Sequence, residues 1–352
     1  MIRSLQSNGI PMKTTIQKTL MTARLFSGFW DRWSVHGVED HVVSEIRPQL
    51  GNLEVWTDHF NKSGQLNENL AHSFYEKHLV NEAEYYYRLS ALYYNLNQWI
   101  YPKQNDDKTY WFQKCLISIR KADAISSIDT RYVSIEISNH TCFGRVRLPA
   151  NPVGCIIIVN PIDSSKEELF KYEMDFIRQN FITISFDGPG QGETYTFQGL
   201  KATQKRWMDF TDTVIEYAWS FFPDIPLYLF GTSSGASWAI YGSCNPKVTK
   251  AVAVSPAIRS EGIDLPAYFI ERMNSVIEDK ETILPNLHQL NIHKPIFMFH
   301  GALDVMTSSK TIYNLYDRLP SDKKFLEYEG EGHCCNYKLE KIRKLSMMWY
   351  LE

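Results

Sequence analysis

Cysteine is scarce in this chain. There are 6 in 352 residues, at positions 115, 142, 155, 244, 334 and 335, and none forms a Cys-x-x-Cys pair. Adjacent Cys334 and Cys335 do not easily bridge each other, so a reduced cytoplasmic protein is the better reading than a disulfide scaffold. Neither sign of charge is in excess. The 37 Lys and Arg against 40 Asp and Glu leave −3, and no long basic block is present, which argues against a nucleic-acid partner. Long hydrophobic runs are missing too. The longest, such as Gly154 to Val159, have strand length, so no membrane span is expected. The opening "MIRSLQSNGIPMKTTIQKTLMTARLF" spreads its charges and has no continuous apolar core, unlike a secretory signal. No internal repeat or low-complexity block is found.

What remains is ordinary globular composition, 44% hydrophobic and 22% charged, with a high aromatic content of 14%. Residues 1 to 25 lack clear periodicity and read as partly mobile. From 26 to 127 the pattern is helical, with few glycines. In "LAHSFYEKHLVNEAEYYYRLSALYYNLNQWIY", Tyr86, Leu89, Tyr93 and Trp99 recur near helical spacing. This aromatic stripe reads as helix–helix core, or in part as a wall for a flat apolar ligand.

The character changes at about residue 128. "RYVSIEIS" and "CFGRVRLP" alternate like two antiparallel strands. "GCIIIVN" is unalternated, as in a strand buried on both faces. The helix "SSKEELFKYEMDFIRQN", the strand "FITISFD", the loop "GPGQGE", a helix around "QKRWMDFTDTVIEYAWSFF" and the strand "PLYLFG" follow. Then come a helix "SSGASWAIYGS", the strand "VTKAVAVS", a helical insertion near 259–292, the strand "KPIFMFHG", a helix from Ser308, the strand "KKFLEYEG" and a last helix. Strands alternating with helices predict an α/β domain over 128–352 with a mainly parallel sheet.

Chemistry concentrates at "LYLFGTSSGASWAI". A strand runs into Gly231-Thr232-Ser233-Ser234-Gly235 and directly into a helix, the strand–turn–helix setting of a G-x-S-x-G nucleophile elbow. Ser233 is the central residue and the expected nucleophile. Ser234 follows at a helix N-terminus, where its backbone N–H suits a developing oxyanion. The acid and the base of such a site come later in the chain, in that order. "HGALD" ends one strand and supplies Asp304; "GEGHCC" follows the next and supplies His333. His333 takes the proton from Ser233, and Asp304 fixes its tautomer. His300 precedes a turn on the acid's own strand and is given a structural role. The loop "VNPIDSSKEE" supplies the second oxyanion donor. Pro161 has no N–H, so Ile162 is the candidate. Asp163 either caps a helix starting at Ser164 or lines the pocket. Ser237, one turn into the elbow helix, reads as packing.

In order, "NPIDSSKEE", "FDGPGQGE", "GTSSG", "HGALD" and "GHCC" resemble the esterase-like α/β-hydrolases that include dihydroxypseudooxynicotine hydrolase, the fermentation–respiration switch proteins and the polyketide-shortening hydrolases of pigment pathways. "FDGPGQGE" is the most diagnostic, and "FWDRWSVHG" resembles that group's added helical domain, so the resemblance covers about 26 to 350. It implies an α/β-hydrolase fold, the triad Ser233, Asp304 and His333, a homodimer, and neither metal nor organic cofactor. It implies esterase action or cleavage of a C–C bond beside a ketone. "NP" stands where the group usually has a double glycine, and the segment between the elbow and Asp304 is short. Glu261 and Asp264 fall in the region of a further acidic substrate residue, but no role is carried onto them.

The leading expectation is a serine hydrolase acting on a small aromatic, polyketide or acyl substrate, free or carried on an acyl-carrier protein. The C–C version needs an electron-sink leaving group, which points to β-diketones and aryl ketones. The alternatives are a carboxylesterase or thioesterase, a small-molecule acyltransferase, and a non-catalytic regulator on a hydrolase fold.

Overall fold

The computed structural model describes residues 12–258, 265–278, 282–320 and 322–352. The described parts of 1–126 and 265–280 form one compact unit, and those of 127–264 and 281–352 form a second.

The first unit opens with α1 (Met12–Leu25), upstream of where the sequence reading starts the helical region. Its buried face is Thr15, Ile16, Thr19, Leu20 and Ala23. Helical spacing is there, but threonines occupy two of these five positions and hide the apolar period. The short helices α2 (Asp31–His36) and α3 (Asp40–Ile46) lead to the long α4 (Leu53–Glu76), α5 (Val80–Trp99) and α6 (Asp106–Ile125). Side-chain caps start two of these: Asn52 Oδ1 accepts from Val55 N at 2.9 Å, and Asn105 Oδ1 from Lys108 N at 2.7 Å. Helices α4 and α5 pack so closely that a Cβ on Gly64 would lie 2.6 Å from the Tyr94 ring. The aromatic stripe is core. Leu89 and Tyr93 are fully buried, Trp99 nearly so, and Tyr86 packs partly buried. Trp30 stacks on Trp56 at 5.6 Å and Phe60 on Tyr93 at 6.2 Å.

The second unit is built on an eight-stranded sheet of order β1-β2-β4-β3-β5-β6-β7-β8. The hairpin β1 (Asp129–Ile137) and β2 (His140–Leu148) turns through Ser138 and Asn139, both at positive φ. Strand β2 pairs antiparallel with β4. The strands β3 (Gly154–Val159), β4 (Phe181–Phe186), β5 (Leu227–Thr232), β6 (Val248–Val254), β7 (Ile296–Gly301) and β8 (Lys323–Tyr328) are parallel. Between them run α7 (Phe170–Ile177), α8 (Gln204–Phe221) and α9 (Ser234–Gly242). Every residue of β3, β4, β5 and β7 is buried, and in β3 this is why the strand reads as an unalternated apolar run. After β6 the chain makes α10 (Ala267–Val276), which belongs to the first unit; there Glu271 accepts from Thr15 Oγ1 at 2.8 Å and pairs with Lys18. Glu261 and Asp264 lie outside the described residues. Helix α11 (Ser309–Asp317) is capped by Ser308, and α12 (Leu339–Leu351) closes the chain.

One expected helix is shorter than its sequence suggests. It starts at Phe170 rather than Ser164, because the segment 164–169 is drawn into a buried ionic cluster. Arg145 donates to Glu167 at 2.6 Å and to Glu173 at 3.0 Å, and Arg147 donates to Glu173 at 2.8 Å. Lys166 Nζ donates to Asp187 at 3.0 Å and Glu193 at 2.6 Å. Burial alone would lower the Lys166 pKa, but Asp187, Glu193 and Glu167 outweigh it and hold the ammonium charged. Asp187 also accepts the backbone N–H of Lys166 at 2.7 Å and of Glu193 at 2.8 Å. A Cβ on Gly192 would lie 2.2 Å from the Asp187 carboxylate. The motif "FDGPGQGE" is thus a clamp that ties the loop after β4 to the loop after β3.

Candidate active site

The site assembles where the parallel strands end. At the turn from β5 into α9, Ser233 has φ 55° and ψ −125°, a conformation that side chains rarely adopt. The turn is over-determined. Ser233 N–H donates to Val254 O at 2.9 Å, and Ser233 O accepts from Ala236 N at 3.0 Å and Ala257 N at 3.1 Å. A Cβ on Gly231 would meet Gly235 O at 2.2 Å, and one on Gly235 would meet Val159 O at 2.1 Å. Only glycine fits on either side of this serine.

His333 lies beyond β8 and Asp304 beyond β7. The Ser233 hydroxyl and His333 Nε2 are 2.8 Å apart, and His333 Nδ1 lies 2.8 Å from Asp304 Oδ2. With Nδ1–H donating to the carboxylate, Nε2 is left to accept the serine proton. The other Asp304 oxygen accepts from Met306 N at 2.8 Å and Thr307 N at 3.0 Å, so the acid cannot swing away. Its side chain is fully buried. Burial works to raise its pKa, but the His333 bond and charge, with the two N–H groups, bring it below the ordinary value. After His333 the chain takes two consecutive positive-φ residues, Cys334 and Cys335, at 67° and 50°.

His333 itself titrates above an ordinary imidazole. Desolvation favours the neutral ring, but the adjoining Cys334 sulfur and the Asp304 carboxylate outweigh it. A base must be neutral to act, so the acid limb of kcat/KM is expected above pH 6.5, the ordinary histidine value. Asp304→Asn should move that limb down in pH and lower the plateau by about 10⁴-fold. A pH–rate profile of both proteins checks this; an unmoved limb contradicts it. The rival His300 makes no bond to Ser233. It is fully buried, its Nε2 lies 3.1 Å from Ser309 Oγ, and burial lowers its pKa despite Asp304 nearby.

The other expected residues fall as follows. Ser234 opens α9, so its N–H has no acceptor within the helix. Ile162 N–H is engaged: it donates to Ser234 Oγ at 2.9 Å. Sequence reasoning did not see this contact between the two expected oxyanion donors. Asp163 is half-buried in the turn after β3; with α7 starting at Phe170, it is no helix cap. Ser237 is buried and donates to Ala257 O at 2.5 Å, a packing role. Among the described residues no cluster of three or more His, Cys, Asp or Glu is arranged to hold a metal, and no helix is long and apolar enough to cross a membrane.

This sheet order, with a serine elbow after β5, is the α/β-hydrolase fold, carried here with a helical unit. No protein-family model matches the chain. The chain is similar to 2,6-dihydropseudooxynicotine hydrolase of Paenarthrobacter nicotinovorans, 21% identical over 210 residues. That match takes in 54% of this chain and 56% of the relative, so it spans about half the length of that curated protein. The crystal structure of 2,6-dihydroxy-pseudo-oxynicotine hydrolase has a TM-score of 0.74 at 18% identity, over 91% of this chain and 94% of that one. AbyA5 has 0.65 at 11% identity, over 96% and 93%. The esterase Pf2001 of Pyrococcus furiosus has 0.52 at 18% identity, over 63% and 90%. At these identities the likeness to the solved structures is one of fold.

Proposed function

We propose that the protein is a serine hydrolase that cleaves a bond beside a carbonyl through an acyl-enzyme on Ser233. The observation that carries this reading is the unbroken chain from the Ser233 hydroxyl through His333 to buried Asp304, with both links at 2.8 Å. Ser233 Oγ attacks the carbonyl carbon as its proton passes to His333 Nε2. The oxyanion is held by Ser234 N–H and Ile162 N–H. In the resting site the Ser234 hydroxyl occupies the Ile162 donor; rotation about its single χ1 hands that donor to the oxyanion. Collapse breaks the bond to the leaving group, which takes the electron pair and then the His333 proton. Water, deprotonated by His333, attacks the acyl carbon and frees a carboxylic acid and the Ser233 hydroxyl.

For the leaving group, the reading is an enolate or phenolic ring carbon from a β-diketone, aryl ketone or polyketide. Similarity to a hydrolase named for a pseudooxynicotine, rather than for an ester, supports this over a plain ester. The second reading is ester or thioester cleavage, favoured by the likeness to the Pyrococcus esterase. Benzoylacetone and p-nitrophenyl butyrate separate the two. The first reading expects acid and ketone from benzoylacetone, lost in Ser233→Ala; turnover of the ester with none of the diketone favours the second. The family resemblance adds a homodimer working without a cofactor on a free or carrier-borne acyl compound, and the scattered cysteines add a cytoplasmic setting. Light scattering on the purified protein tests the dimer.

A further inference from the structure

Catalysis at Ser233 requires the Pro161–Ile162 peptide to keep its N–H aimed at the reacting carbonyl, and the loop that carries it is irregular. The peptide is gripped from both sides. Its N–H donates to Ser234 Oγ at 2.9 Å. Its carbonyl accepts from Ser164 N at 3.2 Å and from Gln191 Nε2 at 2.8 Å. The same Gln191 nitrogen donates its second hydrogen to Asn160 O at 3.0 Å, and Oε1 accepts from Gly188 N at 2.8 Å. Gln191 is almost wholly buried, at 1% exposure. Its amide orientation is forced: Gly188 N–H can only donate and the two carbonyls can only accept. In a trans peptide C=O and N–H point to opposite sides. Holding the Pro161 carbonyl toward Gln191 therefore holds the Ile162 N–H toward the serines.

We propose that Gln191 is a positioning residue that orients the Ile162 oxyanion donor. The proposal rests on the Ser233 acyl-enzyme reading. It gives "GPGQGE" a task in the reaction: the Asp187 clamp fixes where the loop sits, and Gln191 reaches from it to aim one peptide of its neighbour.

The test is Gln191→Glu, nearly isosteric. It keeps an acceptor for Gly188 N–H, loses both donations, and sets a carboxylate oxygen against two carbonyls. An alkyl fluorophosphonate is the probe. Ser233 Oγ forms a bond to phosphorus, the P–F bond breaks, fluoride leaves with the electron pair, and His333 takes the serine proton. Charge grows on the phosphonyl oxygen at the transition state, so kinact reads the oxyanion donors while KI reads binding. The wild type is expected to label at Ser233. Gln191→Glu is expected to label about 100-fold more slowly in kinact, with KI within about threefold and the urea midpoint kept. Gln191→Met removes the donors without adding charge and carries the same comparison if the glutamate variant does not fold. Wild-type kinact in a folded variant would overturn the positioning role and leave the Ser233 reading standing. A fall in kinact together with a rise in KI and a fall in urea midpoint would make Gln191 merely structural and overturn it too. Absence of wild-type label at Ser233 would sink the hydrolase reading and this inference with it.

Discussion

Ser233→Ala is expected to lose turnover by on the order of 10⁵- to 10⁶-fold while keeping its fold. The loss is large because, of the three serine hydroxyls at the elbow, that of Ser233 is the one bonded to the base. It sits 2.8 Å from His333 Nε2, whereas Ser234 Oγ is committed to Ile162 and Ser237 Oγ to Ala257. The fold should persist because alanine keeps the Cβ and all the backbone bonds that hold the elbow, including those to Val254 and Ala257. Ser234→Ala keeps the N–H at the start of α9 and loses only the hydroxyl, so its effect on kcat should be far smaller. Steady-state kinetics on the two alanine variants decides. Equal losses, or the larger loss at Ser234, would contradict the assignment of the nucleophile.

The second large effect is on stability. Glu173→Ala should destabilise the α/β unit by about 3 to 5 kcal/mol. Glu173 is buried and accepts from both Arg145 and Arg147, which are themselves without exposure. Removing it leaves two guanidinium groups in a dry interior with part of their partners gone, the condition under which breaking a buried ion pair is most costly. Asp209→Ala, which breaks the exposed i,i+4 pair with Lys205, should cost less than about 0.5 kcal/mol and serves as the control. Urea titration by circular dichroism reads both. A Glu173 variant within about 1 kcal/mol of wild type would mean that the cluster relaxes or hydrates around the gap.

The ion cluster also marks where sequence reading stops. The strands were legible because β3 carries an unbroken apolar run and β4, β5 and β7, equally buried on both faces, are rich in aliphatic and aromatic residues. The elbow was legible because its two glycines face backbone atoms that no side chain could avoid. Asp304 and His333 were legible because each follows a strand in the chain order that this fold requires. Lys166, Glu167 and Glu173 were not. Charged residues belong on the surface by default, and "SSKEE" read simply as the first turn of a helix. A signal existed in hindsight: the loops after the wholly buried strands β3 and β4 hold Lys166 in "SSKEE" and the acids Asp187 and Glu193 in "FDGPGQGE". Helix α1 was hidden by threonine on its inner face. The turn at Cys334 and Cys335 was hidden because cysteine gives no hint of positive φ. The engagement of Ile162 N–H by Ser234 Oγ joins residues 72 apart in sequence, and no local pattern encodes it.

The central claim is that Ser233 attacks. Its most direct measurement is peptide mapping by mass spectrometry after alkyl fluorophosphonate treatment of the wild-type protein. The account predicts one adduct, on Ser233, formed faster as pH rises through the His333 titration and absent from Ser233→Ala. An adduct on another residue, or none on the folded protein, would contradict it.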